Sequence, residues 1–190
     1  MTEITELDAR STAIDGLVFL TMKQAADDRG TVREFYRESA IAGLGLPQLG
    51  PWRQVNVTYS RKGAIRGMHA EQMVKLVAVV AGEAFAAYVD LRPRSGTYGK
   101  IVTAGLVPGT QVLVPSGVAN GFQAVSDGGC QYLYCFDDEW TPGMAGVACT
   151  PLDPALGIDW PLPIDPDDPS QVSAKDRDAP LFSQLGRSDP

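Results

Sequence analysis

The chain has 190 residues, 16 of them basic and 23 acidic, for a net charge of −7 and an apolar fraction of 44%. That length supplies one domain with a sizeable core. The acidic balance excludes a general nucleic-acid binder, whose phosphate contacts need a basic face, and leaves room for a local cationic pocket. The cysteines, Cys130, Cys135 and Cys149, fit neither a zinc site nor a disulfide framework and point to a reduced, cytoplasmic protein.

In chain order, MTEITELDARSTAIDG is acidic and holds no signal-type apolar core. DDRGTVREFYRE, from Asp27, reads as a solvated turn before an edge strand, or alternatively as an arginine clamp for an anion. A short helix is expected around Phe35 to Ala42. RQVNVTYS then alternates, with Val55, Val57 and Tyr59 on one face and Gln54, Asn56 and Thr58 on the other. SRKG ends it as a turn. KLVAVVAG and EAFAAYVDL read as two strands around Gly82, and RPRSG as the next turn. YGKIVTAGLV, QVLVPSG, GFQAVSD and CQYLYCF follow, each closed by Pro or Gly punctuation or by the next apolar segment. The longest apolar run, Leu76 to Ala81, has strand length and is too short to span a membrane.

Closely spaced strands without helical periodicity between them indicate an all-β sandwich or barrel, since an α/β fold would need crossover helices. From Asp153 the composition turns to Pro and Asp, which excludes regular secondary structure. Leu156, Ile158, Trp160, Leu162, Leu181 and Phe182 are apolar anchors that a free tail would not need, so this segment is expected to wrap over the barrel. The expectation is a single domain over residues 1–190, with a core barrel at 50–140 and the wrap at 150–182. No dinucleotide fingerprint, P-loop or internal repeat is present.

His69 is the only histidine. A usual metal site wants two or three histidines or cysteines, so no metal is expected. On pattern alone His69 is either a satisfied strand-edge residue or a base. Arg66 and His69 are three apart and face opposite sides of a regular strand, unless Gly67 permits a bulge. Lys75 opens an apolar strand, either as a solvated end or as an ammonium directed into the barrel. Tyr132 and Tyr134 share a face and are core residues or, for an inward hydroxyl, a general acid.

The order of the segments adds more. DDRGTVREFY, RQVNVTYSRKGAIRGMHAE, VKLVAVVAGE, VDLRPRSGTYGK, VLVPSGVANGFQAVSD, YLYCFDDEWTPG, DPALGIDWPLP and VSAKDRDAPLF together resemble the dTDP-4-dehydrorhamnose 3,5-epimerase family of deoxysugar biosynthesis. The resemblance implies a cupin-like double-stranded β-helix, or jelly roll, that forms a homodimer and uses no metal and no redox cofactor. It implies a dTDP-linked 4-keto-6-deoxy sugar as substrate, with no nucleic-acid or membrane partner. Residue by residue, His69 of RGMH matches the catalytic base. Asp176 of SAKD matches its carboxylate partner. Lys75 matches the lysine near the sugar carbonyl, and Tyr134 the acid on the opposite ring face. Arg29 and Glu34 match nucleotide contacts often donated by the neighbouring subunit. Gln54, Asn56 and Arg66 match residues lining the sugar-diphosphate site.

Two departures stand out. VANGF places Asn120 where most members carry a second histidine. The loop after the histidine is the short HAEQMVK, and Trp140 replaces a tyrosine. A less common branch of the family shares these features, so they read as a subtype. Epimerisation at both C3 and C5 is the expected activity. A mono-epimerase acting at one of these carbons and a non-catalytic nucleotide-sugar-binding barrel are the alternatives.

Overall fold

Fourteen strands and two short α-helices follow one another among the described residues, which are 2–46 and 49–186 of a computed structural model. The strands are β1 (Glu3–Thr5), β2 (Asp8–Ser11), β3 (Val18–Thr21), β4 (Lys23–Asp27) and β5 (Gly30–Glu34), followed by helix α1 (Glu38–Gly43). Next come β6 (Gln54–Ser60), β7 (Ile65–Glu71), β8 (Lys75–Ala81), β9 (Ala84–Asp90) and β10 (Ile101–Leu106). The last are β11 (Thr110–Val114), β12 (Val118–Ala124), β13 (Cys130–Phe136) and β14 (Gly146–Ala148), with helix α2 at Ala174–Arg177.

These strands make a six-stranded sheet, β2-β3-β11-β8-β13-β6, a five-stranded sheet, β10-β9-β12-β7-β14, and a small outer sheet, β1-β4-β5. Every described pairing is antiparallel. The two large sheets face each other as a cupin-like jelly roll. Their shared core holds Phe19, Val77, Val79, Val112 and Tyr132 from one sheet, and Ala86, Tyr88 and Phe122 from the other.

The apolar run of β8 is explained by burial on both faces. Val77 and Val79 point into the shared core, while Leu76 packs outward beneath Ile41 of α1 and Leu49. The chain passes from β8 in one sheet to β9 in the other at Gly82. Its φ of +73° suits glycine, and a Cβ there would lie 2.1 Å from the Gly129 carbonyl oxygen, so no other residue fits the corner.

The C-terminal segment covers the outer face of the five-stranded sheet. Leu156 is buried against Met68, Ala87, Val89 and Ala119, with Ile158, Trp160 and Phe182 packed alongside. Polar links hold it in place. Gln123 exchanges two 3.0 Å hydrogen bonds with the Leu162 backbone. The Phe182 N–H donates to buried Asp153 (2.7 Å), and Trp160 Nε1 donates to the Pro151 carbonyl (2.9 Å). The expected wrap is present, with two differences. Leu181 is 41% exposed and does not join the cluster under the wrap. The segment also includes the four-residue helix α2, started by the Ser173 side chain, which accepts from the Asp176 N–H.

The predicted helix lies at Glu38–Gly43 within one turn of its expected place. The N-terminal strands β1 to β4 were not expected, although β3 is buried in the six-stranded sheet. β1 and β2 are short and mostly exposed, and β4 is half-buried at most. Backbone pairing holds them, and an amphipathic pattern is missing.

Candidate active site

Strand β7 carries the site. His69 and Glu71, two apart, point inward, while Met68 and Ala70 pack outward into the cluster under the C-terminal wrap. Arg66 would face the other way in a regular strand. It does not, because the pairing with β12 slips: Asn120 lies opposite His69, and Phe122 lies opposite Arg66. Three steps along β7 thus match two along β12. The extra residue falls at Gly67, whose φ is +122°, so the bulge allowed for in the sequence is present. A Cβ at Gly67 would meet Gly121 Cα at 2.5 Å, so two facing glycines let the backbones approach at this point. The bulge returns Arg66 to the His69 face, and both line the same cavity.

That cavity, of about 670 Å³, opens between the sheets. Its lining includes Asn56 and Thr58 of β6, Arg66, His69 and Glu71 of β7, Tyr134 and Phe136 of β13, the Trp140–Met144 stretch, and Lys175 and Asp176 of α2. The polar face of β6 is therefore the inner one, and its apolar face, Val55, Val57 and Tyr59, is more than half exposed.

Helix α2 brings Asp176 against the back of the imidazole. His69 Nε2 lies 2.7 Å from Asp176 Oδ1, with side-chain exposures of 34% and 8%. A carboxylate can only accept, so Nε2 carries the proton and Nδ1 is left as the basic nitrogen. Burial opposes ionisation of Asp176. The hydrogen bond and charge of His69, helped by Ser173 and the Gly67 N–H, outweigh it and hold the carboxyl below the usual carboxylate range.

At the cavity floor a recess of about 40 Å³ leads to Lys75, Asn120, Glu71 and Tyr134. Lys75 is only 2% exposed, so it is no solvated strand end. Its ammonium donates to Glu71 Oε2 (2.5 Å), to the His69 carbonyl (3.2 Å) and to Asn120 Oδ1. Burial opposes ionisation of Glu71 too, yet the charge and hydrogen bond of Lys75 hold its carboxyl low. Burial raises the Tyr134 phenol well above its ordinary value, and neighbouring Tyr132 adds to the effect. Tyr134 therefore stays protonated.

Arg66 is aimed by its Nε donating to Ser60 Oγ (2.8 Å). Gln54 does not itself line the cavity. It joins two residues that do, donating to Asn56 Oδ1 (3.2 Å) and accepting from the Trp140 N–H (2.7 Å). Arg29 and Glu34 are not brought to this cavity. They lie on the outer sheet, where Arg29 pairs with Asp27 at 2.6 Å and Glu34 pairs with Arg37. Glu71 was missed as a site residue. Its signal was its spacing of two from His69 on one strand, within the HAE motif. Among the described residues, no three His, Cys, Asp or Glu side chains are grouped to hold a metal.

The site therefore joins a carboxylate-oriented imidazole, a buried ammonium and a protonated phenol around one cavity. Such a set can take a proton from carbon, stabilise an enolate and return a proton from another direction. Comparison with known proteins agrees. The family model described as dTDP-4-dehydrorhamnose 3,5-epimerase matches residues 11–184. The dTDP-4-dehydrorhamnose 3,5-epimerase of Salmonella typhimurium is 32% identical over 179 residues, covering 91% of this chain and 94% of that protein. The dTDP-4-dehydrorhamnose 3-epimerase of Streptomyces niveus is 33% identical over 187 residues, covering 92% and 84%. The solved structure of RmlC from Streptococcus suis in complex with dTDP-D-xylose superposes with a TM-score of 0.84 at 30% identity, covering 96% of this chain and 95% of that one. The chain belongs to the dTDP-4-dehydrorhamnose 3,5-epimerase family of cupin-like isomerases.

Proposed function

We propose that this chain inverts C3 and C5 of a dTDP-linked 4-keto-6-deoxyhexose through an enolate, as in deoxysugar biosynthesis of the dTDP-L-rhamnose type. The observation that carries the reading is the His69–Asp176 dyad at 2.7 Å, with Lys75 and Tyr134 lining the same inner space. Relatives named as dTDP-sugar epimerases support it.

The chemistry follows from the geometry. The 4-keto group acidifies the C3 and C5 hydrogens, because each carbanion delocalises onto O4. His69 Nδ1 removes the proton, and Asp176 stabilises the resulting imidazolium without taking up the proton itself. O4 enters the recess, where the buried Lys75 ammonium meets the developing negative charge. Tyr134 delivers a proton to the opposite ring face, which inverts the centre. Arg66 and Asn56 hold the diphosphate end, so binding energy remote from the ring orients it for reaction.

Arg29 and Glu34 reach a nucleotide only in a second subunit's cavity, which fits a homodimer. The exposed apolar row Val55, Val57 and Tyr59 is suited to covering by a second copy. Barrel and wrap share one site, so we treat the chain as a single epimerase domain, working in the cytoplasm.

The test is product identification. The protein is incubated with dTDP-4-keto-6-deoxyglucose, the 4-keto group is reduced, and the sugar is assigned by NMR. Inversion at C3 and C5 is the expected result. Inversion at one carbon establishes the mono-epimerase, a reading favoured by the 3-epimerase relative and by Asn120 in place of a second histidine. Unchanged sugar, with the nucleotide bound, leaves a binding protein.

A further inference from the structure

Lys75 is enclosed, and its three protons meet three acceptors: the His69 carbonyl, Asn120 Oδ1 and Glu71 Oε2. Two of these are neutral. Among the described residues Glu71 is the only carboxylate ion-paired with Lys75. The other ionisable groups around the recess are Arg66 and His69 of β7 and Tyr134 of β13. Strand β12 contributes Asn120 and Phe122, and β11 places Val114 beside Lys75, so neither adds a charge. Buried ammonium groups with only neutral acceptors tend to lose their proton near neutral pH. Here burial does pull Lys75 down, and Glu71 opposes it with both its charge and its hydrogen bond. Glu71 is held in turn by backbone geometry. It alternates with His69 on β7 and reaches Lys75 from the cavity side, with 21% of its side chain exposed.

We propose that Glu71 is a positioning residue for the reaction, keeping Lys75 charged and fixed in the recess where the enolate oxygen forms. The inference rests on the role given to Lys75 above and adds the group on which that role depends. Glu71 also restricts the ammonium to one side. With Glu71 and the His69 carbonyl holding two protons, the proton given to neutral Asn120 is the one that an enolate oxygen takes over most readily.

The test compares wild type, Glu71→Gln and Glu71→Asp by two readouts. One is kcat against pH. The other is the pH titration of the Lys75 ε-carbon by NMR in protein labelled on lysine, assigned with Lys75→Met. In Glu71→Gln the alkaline limb of kcat and the Lys75 midpoint are both expected to fall by about one pH unit or more. At a pH one unit above the new midpoint, that costs about tenfold in kcat. A merely structural role would lower kcat at every pH and leave the limb and the midpoint in place, and that result overturns the proposal. Glu71→Asp draws the carboxylate back by one methylene and lowers the midpoint by a smaller step. It decides the question if Glu71→Gln does not fold, and an unmoved midpoint overturns the proposal there too. The titration needs no turnover. A wild type that does not epimerise therefore refutes the proposed function separately, while the Lys75 midpoint still decides the role of Glu71.

Discussion

Replacing Asp176 by asparagine removes a charge while keeping the shape of the side chain, and the structure sets the size of the effect. When His69 takes a proton from carbon, a full positive charge appears 2.7 Å from the Asp176 oxygen. At an effective dielectric constant of about 20, that attraction is worth about 6 kcal/mol. His69 is a third exposed, so solvent screening removes roughly half. About 3 kcal/mol remains, which corresponds to roughly a hundredfold in kcat. The introduced amide adds a second loss, because its N–H can donate to Nε2 and push the imidazole proton onto Nδ1, the atom that must accept. The combined expectation is a fall in kcat of roughly 10²–10⁴. The KM is expected to stay within about threefold, since the lost interaction belongs to the transition state. The assay is initial-rate epimerisation by wild type and Asp176→Asn, with circular dichroism to verify folding. A loss of kcat below about tenfold would show that Asp176 does not support His69 during proton transfer.

Lys75→Met fills the same space without a charge and is expected to lower kcat by roughly 10²–10³, the scale for losing one oxyanion donor. Single-turnover kinetics check it, and an unchanged chemical step would remove Lys75 from the mechanism. Tyr134→Phe leaves the base intact, so solvent deuterium is expected to enter the sugar while inversion falls away. Equal loss of both would place Tyr134 before proton removal instead of after it. Asp90 supplies a pH test of stability. Its carboxyl is fully buried and accepts from Arg92, Ser95 and Thr97. Burial alone would raise its pKa, but these partners hold it well below the carboxylate range. A depressed folded-state pKa gives stability that is complete above about pH 4 and lost as the pH falls toward the folded value. Asp90→Asn is expected to lower the melting temperature at pH 7 by about 10 °C, from a loss of about 3–5 kcal/mol. The difference from wild type should narrow below about pH 4. A constant difference across pH would contradict this account.

Most of the fold legible in the sequence lay in the long strands of the barrel. Val77 and Val79 on one side of β8 and Leu76 on the other made an apolar run of strand length, and Gly82 marked the corner between sheets. β1, β2 and β4 escaped notice because they bury no full face, and polar side chains carry no record of backbone pairing. β3 is buried but was missed because its apolar run, Leu17 to Leu20, is short and has no alternation. Helix α2 was hidden by the prolines around it, although Ser173 three residues before Asp176 was a readable cap. Within the site, Gly67 suggested the bulge, but only the slipped pairing with β12 shows Arg66 on the His69 side. The contact between Asp176 and His69 spans 107 positions. No local pattern encodes it, and only the resemblance to a family pointed there. Glu71 was overlooked because a charged residue near a strand end is commonly solvated. Its importance comes from Lys75 being enclosed, which is a property of the packed barrel.

The most direct test of the central claim is proton exchange at carbon. Wild type and His69→Asn are each incubated with dTDP-4-keto-6-deoxyglucose in D₂O, and the sugar is followed by NMR. The account predicts deuterium at C3 and C5 with wild type and none with His69→Asn, although both bind the nucleotide sugar. Equal exchange by the two proteins, or none by either with the sugar bound, would contradict His69 as the base.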